Sequence, residues 1–336
     1  MESADRDMEV SMEPMRRHCC WILAFWLSPL AAGPANAATG AASCPETAAS
    51  PLPPEAPLEE LALPTAFEFL EGPVWIASEQ ALYLSAWNFS DPTDGRGPPT
   101  TILKWSNSAW STFAPKGALR SNGLAVAPNG HLMAALHDGQ EVARVSLADG
   151  HRTSVARTFQ AKTFNSPNDL AVRKDGTVYF TDPDYQRDGR PGQGQMTGVY
   201  RVSPSGQVAL VDGARKLPNG IALSPDESTL YVGSAESKIF RYAVASDGST
   251  GAAQVFAETA GGVDGMTVDC RGNVYATIHE AKQVVVHGPT GALLGRRDLP
   301  FKVTNVAFGG ADSKTLFITT AGHLYYVRAL LPGAPY

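Results

Sequence analysis

The sequence predicts an all-β protein built as a six-bladed β-propeller, and three observations carry that prediction. One motif, a polar loop feeding a strand, a turn and a second strand, recurs six times. Its most regular copy is Pro218 to Gly233, PNGIALSPDESTLYVG. There Gly220 to Leu223 is an unbroken small or apolar run suited to a buried strand. SPDES is turn chemistry, and Thr229 to Val232 is β-branched and aromatic again. The leading polar residues of the six copies are Glu71, Asn122, Asn168, Asn219, Asp264 and Asn305, at spacings of 51, 46, 51, 45 and 41 residues. Such a spacing holds about four strands of 5–6 residues with their turns, the length of one blade. From Thr65 to about Leu330 the strand and turn rhythm runs without a second linker, so one domain is expected.

Met1 to Ala37 reads as a signal peptide. Arg16 and Arg17 precede an apolar run from Cys19 to Ala32, and Ala35-Asn36-Ala37 supplies the small-x-small cleavage pattern. The run is shorter than the roughly 20 apolar residues that span a bilayer. A periplasmic or secreted location is expected from this, with no membrane contact after cleavage. Residues 38–63, with SPLPPEAP at their centre, read as an Ala/Pro-rich extended tail without a core of its own. Residues 64–336 are assigned to the propeller. A propeller closes its ring so that no sheet edge is left bare, and Ala66 to Leu70 are expected to pair with the last blade near Leu316 to Val327.

Of 4 cysteines, Cys19 and Cys20 leave with the signal. Cys44 and Cys270 then either bridge the tail to blade five or remain two separate thiols. A formal net charge of −6 with no basic tract argues against nucleic acid or anionic membrane as partners, and a monomer is expected.

If each polar loop opens the innermost strand of its blade, all six leading side chains point toward one mouth of the central channel. They are oxygen donors, and Glu71 and Asp264 add full negative charges. Hard divalent cations want such ligands, and Ca²⁺ takes about 6–8 oxygens in loose geometry. The absence of Cys and His from the six positions argues against a thiolate or imidazole site. One divalent cation in the channel is therefore expected, Ca²⁺ ahead of Mg²⁺, Mn²⁺ or Zn²⁺. The competing reading is turn punctuation, since Asn and Asp before Gly are common turn residues, as at Asn129-Gly130 and Asp175-Gly176. Glu71 discriminates, because glutamate is poor in turns. The set expected to bind metal is Glu71, Asn168, Asn219 and Asp264. Asn122 falls in the same ring and is a candidate to contact substrate or a bound water. Asp169 either supports Asn168 from behind or is a turn residue, and Asn305 is taken only as a blade marker.

EGPVW, NSPNDL with YFTDP, LPNGIALSPDESTLYV, VDGMTVD with GNVYAT, and TNVAFGG with LFIT together resemble the gluconolactonase, regucalcin (senescence marker protein) and luciferin-regenerating enzyme family, over about Glu71 to Tyr326. The resemblance implies a divalent cation held by Glu71, Asn168, Asn219 and Asp264, and hydrolysis of a small-molecule lactone with metal polarisation of the carbonyl and attack of water. It implies for Asp264 the role of general base or water-orienting group. Regucalcin-like members carry an Arg where this chain has Ser166, so the match is better to the bacterial and plant-type gluconolactonase branch. Related lactonases often carry a His-Gly pair near the place of His137, which makes His137 a substrate-binding candidate. Two other functions stay open: hydrolysis of a phosphotriester or other ester at the same metal, and a non-catalytic propeller with a structural ion.

Asp182 either fixes Asp169 or the loop after it, or simply ends its strand. The glycine-rich insert Asp184 to Thr197 suits a loop capping the channel. His279, His287 and His323 show no constellation. No G-x-S-x-G is present, so a serine nucleophile is unsupported.

Overall fold

The computed structural model describes residues 44–46, 50–186 and 197–334. The leader at 1–37 and most of the 184–197 insert lie outside the described residues. Among the described residues there are six four-stranded antiparallel sheets and one two-stranded hairpin, Thr158–Phe159 with Lys162–Thr163.

The first strands of the six sheets are Phe69–Ile76, Ser121–Val126, Leu170–Val172, Pro218–Leu223, Val263–Val268 and Val303–Gly309. Each touches the first strands of both neighbouring sheets, and the last touches the first, so the six close a ring around a channel. The second strands are covered on both faces. Ala81–Trp87, Leu132–Leu136 and Val274–Ile278 are buried at every position, which is why they read as continuous apolar runs rather than alternating ones. Outer strands meet water, and Leu293–Asp298 is mostly exposed.

The core is correspondingly divided into wedges between blades. Tyr83 and Ile102 of blade one pack with Leu124 and Leu136 of blade two. Phe180 and Tyr200 of blade three pack with Met133 and Val142 of blade two, their rings stacked at 5.5 Å between centroids. Leu70 and Leu84 meet Phe317 and Leu324 across the seam between the first and last blades.

Ring closure differs from the expectation. Leu58–Glu60 forms the outermost strand of the sixth blade, with Leu58 opposite Val327, Glu59 opposite Tyr326 and Glu60 opposite Tyr325. Phe69 and Leu70 pair instead with Trp87 and Ala86 inside blade one. The last blade thus completes itself at its exposed outer edge, where an unpaired ladder would otherwise face solvent, and leaves 66–70 free to open the first blade. The segment read as a tail accordingly has a packed part. Leu52 is fully buried between blades five and six. Leu330 N–H donates to the Pro51 carbonyl at 3.0 Å, and Arg271 Nε to that of Pro45 at 2.7 Å. Cys44 and Cys270 form a disulfide across 226 residues, resolving the choice left by the sequence in favour of a bridge.

Candidate active site

Five of the six first strands leave their ladder at the same place. Pairing with the second strand stops at Glu71, Ser121, Pro218, Val263 or Val303 and resumes three residues later. A bulge of this kind re-aims a side chain: Asn122, Asn219, Asp264 and Asn305 fall inside the break, whereas Glu71 is the last paired residue before it.

The glycines that follow have a second reason. A Cβ on Gly72 would overlap the Asn122 carbonyl of the next blade, one on Gly220 the Asp264 carbonyl, and one on Gly265 the Asn305 side chain. Gly123 is equally tight, at 2.6 Å from both the Asn168 carbonyl and an Asp169 carboxylate oxygen. These glycines let neighbouring blades approach at the hub, so turn punctuation is not their function. The sixth copy has Val306 in that slot. Asn305 itself reaches blade one, where its Nδ2 donates to Glu71 Oε2 at 3.0 Å.

Glu71, Asn168, Asn219 and Asp264, each from a different blade, line one cavity of about 250 Å³ together with Asn122. Asn219 Nδ2 donates to Asp264 Oδ1 at 2.7 Å. Glu71 Oε2 also accepts the Gly72 N–H at 2.9 Å. Hydroxyls at the ends of second strands hold the backbone behind these groups. Thr181 Oγ1 accepts the Asp169 N–H at 3.1 Å, Thr319 Oγ1 the Asn305 N–H at 3.0 Å, and Ser85 Oγ donates to the Asn122 carbonyl at 2.8 Å. Asp182 accepts the N–H groups of Asn165 and Ser166 at 2.9 and 2.8 Å. It therefore fixes the approach to Asn168 rather than Asp169.

The electrostatics of the hub are unfavourable without a counter-charge. Burial raises the Glu71 carboxyl well above the usual range, and the charges of Asp264 and Asp169 raise it further against the pull of Gly72 N–H and Asn305. Burial pushes Asp169 up to about 7 despite bonds from Leu170, Asn305 and Ile221. Asp264 is also raised by burial, with His279 and Asn219 opposing. Burial disfavours ionisation of all three carboxyls, a cost that a bound cation would offset.

The amides agree. Asn122 Oδ1 is buried with no hydrogen-bond partner among the described residues. The Asn219 nitrogen is engaged by Asp264, which leaves its carbonyl oxygen for another ligand. Among the described residues no three His, Cys, Asp or Glu side chains are gathered closely enough to hold an ion unaided, so any ion depends on amide oxygens. The donor set fits a hard divalent cation.

His137, Asp169 and Asn305 are not among the residues lining this cavity. His137 is fully buried, with Nδ1 3.3 Å from Ser166 Oγ and its ring edge-on to Trp87, and it does not line the cavity. Trp87 and Ser166 pack against it behind the described cavity wall. Asp169 and Asn305 border a second, mostly apolar cavity of about 320 Å³, formed by the downstream halves of the first strands.

Three residues in the cavity wall carry no repeat signal. His279 Nδ1 lies 2.8 Å from the Val303 carbonyl and 3.3 Å from Asp264 Oδ2. Burial lowers its pKa, but Asp264 and Val303 outweigh burial and the net direction is upward. Tyr185 and Phe69 also line the cavity. His279 and Tyr185 follow the second strands of their blades, in loops that vary from copy to copy, so periodicity could not find them.

The chain is thus a closed six-bladed propeller with carboxyl and amide side chains at its hub. Residues 69–322 match the SMP-30/Gluconolactonase/LRE-like region, and the chain belongs to that family. It is 31% identical to a gluconolactonase of Zymomonas mobilis over 303 residues, covering 81% of each chain. It is 32% identical to the pentonolactonase of Haloferax volcanii over 259 residues, covering 75% of this chain and 81% of that one. Among solved structures it superposes on a gluconolactonase from Xanthomonas campestris with a TM-score of 0.68 at 29% identity, covering 82% of this chain and 90% of the other.

Proposed function

We propose that the protein is a divalent-cation-dependent lactonase that opens a sugar lactone to its hydroxy acid. The observation that carries this reading is the convergence of Glu71, Asn168, Asn219 and Asp264, from four separate blades, on one small cavity. The names of the relatives supply the substrate class. Glu71, Asn168, Asn219 and Asp264 would hold a hard divalent cation, Ca²⁺ favoured by their oxygen-only donors, and the chemistry it would supply is positive charge toward a lactone carbonyl.

Asp264 is suited to orient the attacking water and take its proton. Asn219 Nδ2 donates to its Oδ1 at 2.7 Å, and His279 Nδ1, whose one proton is shared with the nearer Val303 carbonyl, lies 3.3 Å from its Oδ2, so both contacts limit its rotation. The Val303 carbonyl holds the His279 proton on Nδ1 and thereby orients the ring. Water adds to the carbonyl carbon, the ring C–O bond breaks, and the proton ends on the departing ring oxygen. Asn122 Oδ1 faces the same space as an acceptor for a water or a substrate hydroxyl.

An extracytoplasmic location, periplasmic or secreted, is part of the proposal. It is supported by the Cys44–Cys270 bridge, since such bonds persist in oxidising compartments. The catalytic assignment is tested with Asp264→Asn. Turnover of glucono-δ-lactone should fall by ~10²-fold or more while the melting temperature changes little. An Asp264→Asn protein with native kcat overturns it.

A further inference from the structure

The hub cavity is lined mostly by polar and charged side chains, and Phe69 is the largest wholly apolar one among them. It opens the first strand of blade one, two residues ahead of Glu71. Pairing with the second strand is regular over this stretch, with Phe69 opposite Trp87, Leu70 opposite Ala86 and Glu71 opposite Ser85. Successive side chains of a strand alternate, so Phe69 and Glu71 share the channel face about 7 Å apart along the strand. Leu70 between them turns the other way and is fully buried with Phe317 and Leu324 of the last blade. The downstream halves of the first strands form the second cavity, so Phe69 lies on the mouth side of Glu71.

The phenyl ring is half-buried and held by three others. Its centroid is 5.1 Å from that of Trp87, 5.3 Å from that of Phe89 and 6.1 Å from that of His279. Glu68 N–H donates to Asn88 Oδ1 at 2.9 Å, and Phe89 N–H donates to Glu68 Oε2 at 2.6 Å. These reciprocal bonds fasten the loop after the second strand to the residue just before Phe69. Phe89 remains 61% exposed, so it acts as a brace at the surface rather than as core. On its other flank Phe69 meets His279, which lies beside Asp264. The ring is therefore fixed with part of its surface left to the cavity.

This pairing of surfaces has a chemical counterpart. Asn122 Oδ1 in the same cavity is buried with no hydrogen-bond partner among the described residues, and it asks for a donor. A phenyl face is negative at its centre and attracts C–H groups made slightly positive by neighbouring oxygens. A sugar ring offers such C–H groups on its faces and hydroxyl donors at its rim. An alkyl chain would want apolar walls throughout, which this cavity does not have. Its volume of about 250 Å³ also suits one ring, being below the roughly 300 Å³ at which pockets for larger ligands begin.

We propose that Phe69 is a specificity-determining residue: its ring stacks on the C–H face of the lactone's sugar ring, one pleat outward from Glu71, and so selects hydroxylated lactones. Trp87, Phe89 and His279 hold the ring in place. The inference rests on the lactonase reading.

The test compares native protein with Phe69→Leu, which stays apolar but loses the π face, and Phe69→Tyr, which keeps it. Each is assayed for kcat and KM on glucono-δ-lactone and on δ-valerolactone, a ring of the same size without hydroxyls, and for Ca²⁺ affinity. The expected result for Phe69→Leu is a KM on glucono-δ-lactone raised ~3-fold to 10-fold with kcat and Ca²⁺ affinity within about two-fold. Its KM on δ-valerolactone should move less than about two-fold, because weakly polarised C–H groups meet Leu and Phe alike, and Phe69→Tyr should recover most of the loss. An unchanged KM on glucono-δ-lactone in Phe69→Leu overturns the assignment, as does an equal rise for both lactones, which would make the ring a space-filler. A loss confined to kcat or to Ca²⁺ affinity overturns it too, since Phe69 would then serve His279 and the hub. So does a Phe69→Tyr protein no better than Phe69→Leu. Native protein that opens δ-valerolactone but not glucono-δ-lactone refutes the selection of sugars. Native protein that opens neither defeats the lactonase reading itself, whereas native protein that opens both, matched by Phe69→Leu, defeats only the role of Phe69.

Discussion

At the residue scale the hub is a set of carboxyls held in a protonation state that a cation would reverse. Glu71, Asp169 and Asp264 are all raised by burial, and the charge of Asp264 raises the first two further. The metal-free folded chain therefore binds more protons than the unfolded chain above the ordinary carboxylate range. Its stability must then fall as pH rises from roughly 4 toward the Asp169 value of about 7. His279 acts in the same direction: its raised folded pKa gives a contribution present at low pH and lost as pH climbs through it. Chelated protein should accordingly lose Tm between about pH 5 and 8, and saturating Ca²⁺ should flatten the decline. A flat Tm profile in chelator would contradict this account of the hub. His279→Gln should weaken catalysis by ~10-fold or more through loss of the fixed Asp264 rotamer, with the pH–rate profile of the variant showing whether the imidazole shapes it.

At the scale of the element, the unit of construction is a first strand that breaks its ladder at the channel mouth, followed by a glycine that admits the next blade. This was largely legible in the sequence. The spacing of the six polar residues reports the blade length, and the residue types report oxygen donors. The meaning of the glycine was not legible, because a turn and a close approach both select glycine and only packing distinguishes them. His279 and Tyr185 were missed for a related reason. They stand in loops after second strands, where length and composition change between copies and no repeat marks them. The burial of His137 was not legible, because a histidine at a strand end looks alike whether it faces the channel or the core. Gly220→Ala tests the packing reading: overlap with the Asp264 carbonyl should destabilise by about 1–3 kcal/mol and loosen the hub. Gly130→Ala, at a true hairpin turn with open space around it, meets only the penalty of its positive φ of 79°. If the two variants unfold alike, inter-blade crowding is not what the hub glycines relieve.

For the whole molecule, the ring depends on a strand taken from beyond the repeats. Leu58–Glu60 completes the last blade, and the chain before it is fastened by Leu52, by the Arg271 and Leu330 backbone bonds, and by the Cys44–Cys270 bridge. The sequence read this stretch as a loose tail because Ala and Pro dominate its composition, while its anchoring rests on single residues spread along it. A bridge enclosing 226 residues restricts the unfolded chain strongly, and Cys44→Ser should lower stability by about 2–5 kcal/mol. Since the bridge lies in the wall of blade five and not at the cavity, kcat at moderate temperature should be unaffected. A Cys44→Ser protein as stable as the native one would show that the strap is held by packing alone.

The central claim is that side chains from four blades hold one divalent cation on which lactone hydrolysis depends. It is tested most directly by following acid release from glucono-δ-lactone after chelation, and again after adding back Ca²⁺, Mg²⁺, Mn²⁺ or Zn²⁺ singly. The predicted result is loss of activity with the metal and its return with an oxygen-preferring ion, Ca²⁺ foremost, in native protein but not in Glu71→Gln. Full activity in the thoroughly chelated protein, or no activity with any ion while the ion still raises Tm, would contradict it.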